Sequence, residues 1–160
     1  MRKLLGIVLG LALFVEGAHA SDNTQEKALE NLKAQFELID ANRIDHIGRS
    51  MMLEPKVSER FWQLHHVYMQ KQMALRDKQL ALLTRYADIH NRKAMDDALA
   101  KDMLKESMRY EAQHVRNRQD FMRDIAKVLT PTQRLRFYQL DLLLDTRLRS
   151  GMLAQIPVTE

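Results

Sequence analysis

The chain of 160 residues contains no cysteine. Disulfides, thiolate metal sites and thiol nucleophiles are excluded together, so the fold has to stand on packing alone. Between Thr24 and Ser150 there are only two prolines, Pro55 and Pro131, and one glycine, Gly48. A stretch this poor in turn formers, with no alternating runs of Val, Ile, Thr and aromatics, offers nothing from which to build a sheet. Glycine-rich phosphate loops, G-x-S-x-G elbows and H-E-x-x-H helices are missing too, which excludes the enzyme classes those motifs serve. Asp and Glu alternate with Lys and Arg at helical spacing, as on a solvated helix face. We therefore expect no enzyme and no cofactor.

Long apolar runs are absent as well, with one exception at the start. MRKLLGIVLGLALFVEGAHA carries Arg2 and Lys3, then an apolar run from Leu4 to Val15, and closes on Ala18-His19-Ala20. That order describes a cleavable secretory signal peptide over residues 1–20, and the run is too short to span a bilayer. The mature chain is then expected to begin at Ser21 and to be exported and soluble. Without the leader, Lys+Arg falls from 25 to 23 and Asp+Glu from 21 to 20, a net charge of +3. So mild and dispersed an excess does not point to nucleic acid. About 140 residues suffice for one core and one domain.

What is present is helix-forming: Leu, Met, Ala, Lys, Arg, Glu and Gln dominate. The periodicity predicts four helices, at about 25–51, 55–90, 94–128 and 131–149, in one all-α domain over residues 21–150. Gly151 is expected to stop the last helix and leave a loose tail over 151–160. The first helix carries Leu29, Leu32, Phe36, Ile39, Ile44 and Ile47 as its apolar stripe.

One phrase is written twice. LEPKVSERFWQL at 53–64 and LTPTQRLRFYQL at 129–140 share six of twelve residues, and self-similarity points to equivalent structural units. In the second copy Thr130, Pro131 and Gln133 form a capping box, with Thr at the N-cap, Pro at N1 and Gln at N3; Leu129 sits at the stapling position before it. In the first copy Leu53 and Pro55 keep their places, but Glu54 and Val57 replace Thr and Gln. Two helix starts built alike are expected to pack in equivalent places.

The long helices carry residues spaced by seven: Phe61, Tyr68, Leu75, Leu82 and Ile89 in the second, Met108, Val115, Met122 and Leu129 at the third. Polar companions (Lys71, Lys78, Glu111, Arg118) interrupt these seams. The pattern suits a long antiparallel hairpin in a thin layer, completed by dimerisation. A separate row on the second helix, Trp62, Met69, Met73, Leu80 and Leu83, exceeds what a thin layer hides. With the flexible methionines, it is a candidate adaptable binding face. His65 and His66 are adjacent, and neighbours on a helix point about 100° apart. They are at most a weak metal alternative, and we assign no metal site.

The duplicated L-T-x-x-Q pattern, intact at Leu129-Thr130-Pro131-Thr132-Gln133 and degenerate at Leu53-Glu54-Pro55-Lys56-Val57, resembles that of the Spy/CpxP family of periplasmic stress proteins. The resemblance implies a cradle-like antiparallel homodimer with an apolar and basic concave face. It implies ATP-independent holding of unfolded or misfolded envelope proteins under envelope stress. The alternative it offers is a CpxP-like regulator that restrains a membrane sensor, in a family that includes zinc-binding members.

Overall fold

The computed structural model describes residues 22–153. The expected signal peptide and most of the expected tail lie outside that range. Four α-helices follow one another: α1 Asp22–Met51, α2 Pro55–Asn91, α3 Asp97–Asp124 and α4 Pro131–Leu153, with a 3-10 turn at Ile125–Lys127 before α4. No strand interrupts them among the described residues. The sequence boundaries hold to within a few residues, except at the end. Gly151 does not stop α4, which runs on to Leu153; glycine is only a weak helix breaker, about 1 kcal/mol worse than alanine.

The helix starts obey local chemistry. The Thr130 hydroxyl accepts from the Gln133 amide at 3.2 Å, and the Gln133 side chain accepts from the Thr130 amide at 3.0 Å, which closes the capping box in both directions. Leu129, before the box, is buried. In the first copy Pro55 opens α2, but Glu54 at the N-cap makes no side-chain cap bond. The α3 start repairs itself differently: Asp96 accepts from the Leu99 amide at 2.8 Å. The corners after α1 and after α2 each hold a non-glycine residue at positive φ, Met52 (43°) and Lys93 (53°), a conformation side chains tolerate reluctantly.

The hairpin of α2 and α3 forms as the sequence suggests, but it is not a thin layer. Ile47 and Met51 from α1, Phe61 and Tyr68 from α2, Phe121 from α3, and Phe137 and Leu144 from α4 share one buried cluster with Ile125 and Leu129. A second cluster joins Leu32 and Phe36 of α1, Leu80 of α2 and Leu148 of α4. All four helices therefore contribute to one core within a single chain.

This packing redistributes the rows expected from the sequence. On α2, burial follows Phe61, Tyr68 and Leu75 and then shifts to Leu83 and Ala87, while Leu82 and Ile89 are only half-buried. A straight helix of 3.6 residues per turn drifts off a seven-residue repeat by about 20° each heptad, which accounts for the shift. On α1, Ile44 is 56 % exposed although Ile47 is fully buried. On α3 the expected row splits: Leu129 is buried and Met122 packs half-buried against the core, but the two earlier members do not. Met108 and Val115 are 62 % and 47 % exposed, and the buried row is Met103, Asn117 and Phe121.

Candidate functional site

The α2 row proposed from the sequence as a binding face serves the core instead. Leu80 and Leu83 are buried, and Trp62 and Met69 are half-buried against the aromatic cluster. Only Met73 is exposed, at 44 %. The reason is α1, which covers this side of α2: a Cβ on Gly48 would meet the Trp62 ring edge at 3.6 Å, and Arg76 of α2 pairs with Asp40 of α1. A row that packs on a neighbouring helix and a row open to solvent look the same in a sequence. Leu80 and Leu83 are therefore withdrawn from any surface.

The histidine pair separates as helical geometry requires. His66 is exposed, whereas His65 is 2 % exposed among Phe61, Trp62, Tyr68, Phe121 and Phe137. Its Nε2 has no hydrogen-bond partner. Burial, followed by the positive charge of Arg43, pushes its pKa down to about 4, so the ring is neutral at ordinary pH. The two histidines cannot share an ion, and among the described residues no group of three His, Cys, Asp or Glu side chains gathers in metal-binding geometry.

Two features emerge that the sequence reading missed. The first is a buried ionic knot at mid-height in the bundle. Asp141 of α4 is fully buried. It accepts from Arg43 Nη1 of α1 at 2.6 Å, Tyr68 Oη of α2 at 3.0 Å and Arg118 Nε of α3 at 3.0 Å. Arg118 also donates to Asp145 at 2.9 Å, and His114 Nε2 lies 3.0 Å from the same oxygen. On its other side His114 Nδ1 meets Gln72 Oε1 at 2.9 Å, and Gln72 donates to the Tyr68 hydroxyl at 3.0 Å. Asp40 and Arg76 complete the set.

Three aspartates face three arginines, so the fixed charges cancel and burial becomes tolerable. Burial, then the charge of Asp141, pushes the Tyr68 hydroxyl above its ordinary range. Burial alone would raise the Asp145 carboxyl, but the hydrogen bond and charge of His114, with the Arg118 guanidinium, hold it below its ordinary value. Burial likewise opposes the charge on Arg118, yet Asp141, Tyr68 and Asp145 hold its pKa above the ordinary value. A cavity of about 40 Å³ adjoins the knot, lined in part by Asp40, Arg43, Gln72 and His114, room for a few waters at most. With three donors on Asp141, the arrangement ties four helices together.

The second feature lies on the outside of α3 and α4. Residues 104, 108, 111, 115 and 118 form one row on α3, and 135, 138, 142, 145 and 149 form one row on α4. The polar members of each row cross to the other helix: Glu111 meets Arg149 at 3.0 Å and Arg118 meets Asp145 at 2.9 Å. Both rows therefore face one seam, in an antiparallel register that puts Leu104 and Met108 beside the C-terminal end of α4 and Leu135 and Tyr138 beside the C-terminal end of α3. Their apolar members stay in solvent: Leu104, Met108 and Val115 are 62 %, 62 % and 47 % exposed, and Leu135, Tyr138 and Leu142 are 57 %, 39 % and 40 %. Scattered exposed leucines are ordinary; here three large apolar side chains on each helix share a face, interrupted by Glu111 and Arg118 on α3 and by Asp145 and Arg149 on α4, and such a face is a candidate interaction site.

A signal for each feature was present in the sequence. Asp141 stands on the α4 row Phe137, Asp141, Leu144, Leu148, a core register in which an acid has to be paired. Glu111 and Arg118 interrupt the α3 heptads at the positions that later form ion pairs. Comparison with family models, curated proteins and solved structures returns no match for the chain.

Proposed function

We propose that this protein is a Spy/CpxP-like holding chaperone of the periplasm, which binds non-native envelope polypeptides without nucleotide through the apolar seam of α3 and α4. The observation that carries the reading is the seam itself: six large apolar side chains, all at least 39 % exposed, three on α3 and three on α4, staggered along the antiparallel pair. Met108 adds a flexible, polarizable contact suited to varied partners. No helix among the described residues is long and apolar enough to cross a membrane. The duplicated helix-opening motif, closed as a capping box in its second copy, supports the family reading. A homodimer belongs to this proposal, as does removal of residues 1–20 on export.

A second reading rests on the ion pairs behind the seam. They hold α3 and α4 at fixed spacing, and a preorganised face also suits one dedicated partner, as for a regulator that restrains a membrane sensor. The experiment that separates the two is suppression of aggregation of an unfolding client by the purified protein without nucleotide. A holding chaperone protects several unrelated clients near stoichiometric ratios. Failure to protect any of them, with helicity intact, favours the dedicated partner.

A further inference from the structure

Beside the ionic knot, the cavity is lined by polar atoms that the protein itself leaves unpaired. We infer that this cavity is a binding site for internal water, and that one water held between Arg43 Nε and Asp40 Oδ1 completes the seating of α1 on the bundle.

The first argument is the pair of atoms that the knot leaves over. Arg43 is only 4 % exposed, and its Nη1 donates to Asp141 at 2.6 Å. Its Nε is buried and has no hydrogen-bond partner among the described residues. One turn earlier on α1, Asp40 accepts from Arg76 of α2 through Oδ2, while its Oδ1 is also buried and also unpartnered. Both residues line the cavity. A buried charged group left without a hydrogen bond is costlier than a neutral one, and native folds rarely leave such groups unsatisfied.

The second argument is that the gap between these atoms is held open. Arg43 Nε and Asp40 Oδ1 stand 3.7 Å apart, beyond hydrogen-bond length. Each residue is anchored at its other end, Arg43 on the fully buried Asp141 and Asp40 on Arg76. The guanidinium is a rigid planar fork, so drawing Nε towards Asp40 would stretch the bond from Nη1 to Asp141. A water about 2.8–3.0 Å from each atom spans the gap and moves neither.

The third argument is chemical. The occupant has to accept from Arg43 and donate to Asp40. An anion would be set against the Asp40 carboxylate, and a cation against the Arg43 guanidinium. Around the cavity the carboxylates of Asp40 and Asp145 meet Arg43, Arg76 and Arg149, and Arg149 is shared with Glu111 at 3.0 Å. No excess of either sign calls for a counter-ion, so the ligand is neutral. Size then selects water: a cavity of about 40 Å³ holds about three waters at about 10–15 Å³ each. Gln79, half-buried on the α2 wall, adds a side-chain amide to the same cavity, in keeping with the two to four polar partners of a typical buried water.

The test is NMR on the purified, isotope-labelled protein, reading magnetisation transfer between water and the arginine Nε–H groups by NOE and by ROE. Arg43 Nε–H is expected to show a water cross-peak of opposite sign in the two experiments, the mark of a water held for longer than the protein takes to tumble. Arg118 Nε–H is the internal control. It donates to Asp141 at 3.0 Å and is expected to show no such peak.

No peak at Arg43, or one of like sign in both experiments from exchange of the Nε proton alone, overturns the site. Equal peaks at Arg43 and Arg118 would mean that solvent permeates the whole knot, which also overturns a defined site. A saturable shift of the Arg43 Nε–H resonance on titration with chloride would put an anion there instead. A crystal structure provides the second measurement. Water within about 3.2 Å of both atoms is the expected result, and a direct bond from Arg43 Nε to Asp40 would contradict it.

Discussion

Phe61 and Phe137 hold equivalent places in the two copies of the repeated phrase, and their fully buried rings meet edge to face with centroids 5.5 Å apart. Each ring also packs against Phe121 of α3, at 6.3 and 5.1 Å. The repeat thus builds two helix starts that converge on one point of the core, α2 entering from one corner and α4 from the other. Truncation of either ring to alanine is expected to cost about 3–5 kcal/mol. A double-mutant cycle on Phe61→Ala and Phe137→Ala, read by urea unfolding, is expected to give a clear coupling energy because the rings touch. Simple additivity would mean that the equivalence is only one of sequence.

The two caps make a paired test. Thr130→Ala removes one half of a closed capping box and is expected to cost about 1 kcal/mol, with no direct effect on binding. Glu54→Thr supplies a capping hydroxyl where none now bonds and is expected to stabilise by about 0.5–1 kcal/mol. Thermal unfolding of both variants decides the matter; a neutral Glu54→Thr would show that the first corner, strained at Met52, has no room for the cap.

Acid should loosen the core through His65. Its pKa in the folded state is depressed from 6.5 to about 4, so the unfolded chain binds the proton more readily. The stability that depends on its neutral form is complete above pH 6.5 and is lost as pH falls through 6.5 towards 4. The loss amounts to about 3 kcal/mol at about 1.4 kcal/mol per unit. Asp145, whose folded pKa is lowered, adds a further loss only below the ordinary carboxylate range. Denaturant unfolding from pH 8 to pH 4 is expected to show the first slope in the native protein. The slope should disappear in His65→Leu; its persistence there would place the titrating group elsewhere.

The ionic knot is expected to be intolerant of half-measures. Asp141→Asn strands Arg43 and Arg118 as buried cations without their shared counter-ion, and breaking a buried pair by one partner costs about 3–5 kcal/mol. Circular dichroism melts of Asp141→Asn and of the exposed control Asp45→Asn test this. Asp45 pairs with Arg49 on the surface, with side chains 58 % and 81 % exposed, and its loss is expected to be small. Equal effects at the two positions would mean that solvent reaches the knot.

How much of this was legible depended on how local the cause was. The capping box at Thr130 and Gln133 spans three residues, and both of its bonds form as the sequence implies. The repeat implied equivalent packing of the two helix starts, but not that Phe61 and Phe137 touch each other. The assignment of faces was not legible, because the sequence does not say what covers a helix. Trp62, Met69 and Leu80 form an apolar row that α1 packs against, while Met108 and Val115 form an equally regular row that nothing among the described residues covers. The knot was hidden for a related reason: Arg43 and Asp141 are 98 residues apart, and each alone looks like an ordinary surface charge. Only the position of Asp141 on the core register of α4 gave it away.

The central claim is that the α3–α4 seam holds non-native chains. The most direct measurement is light scattering from a chemically unfolded client diluted into the native protein, into Val115→Asp/Leu142→Asp, and into a control with Met73→Asp on the other side of the bundle, all without nucleotide. The account expects the native protein and Met73→Asp to suppress aggregation alike, and the seam variant to fail while its helicity and melting temperature stay close to native. Full protection by the seam variant would contradict it.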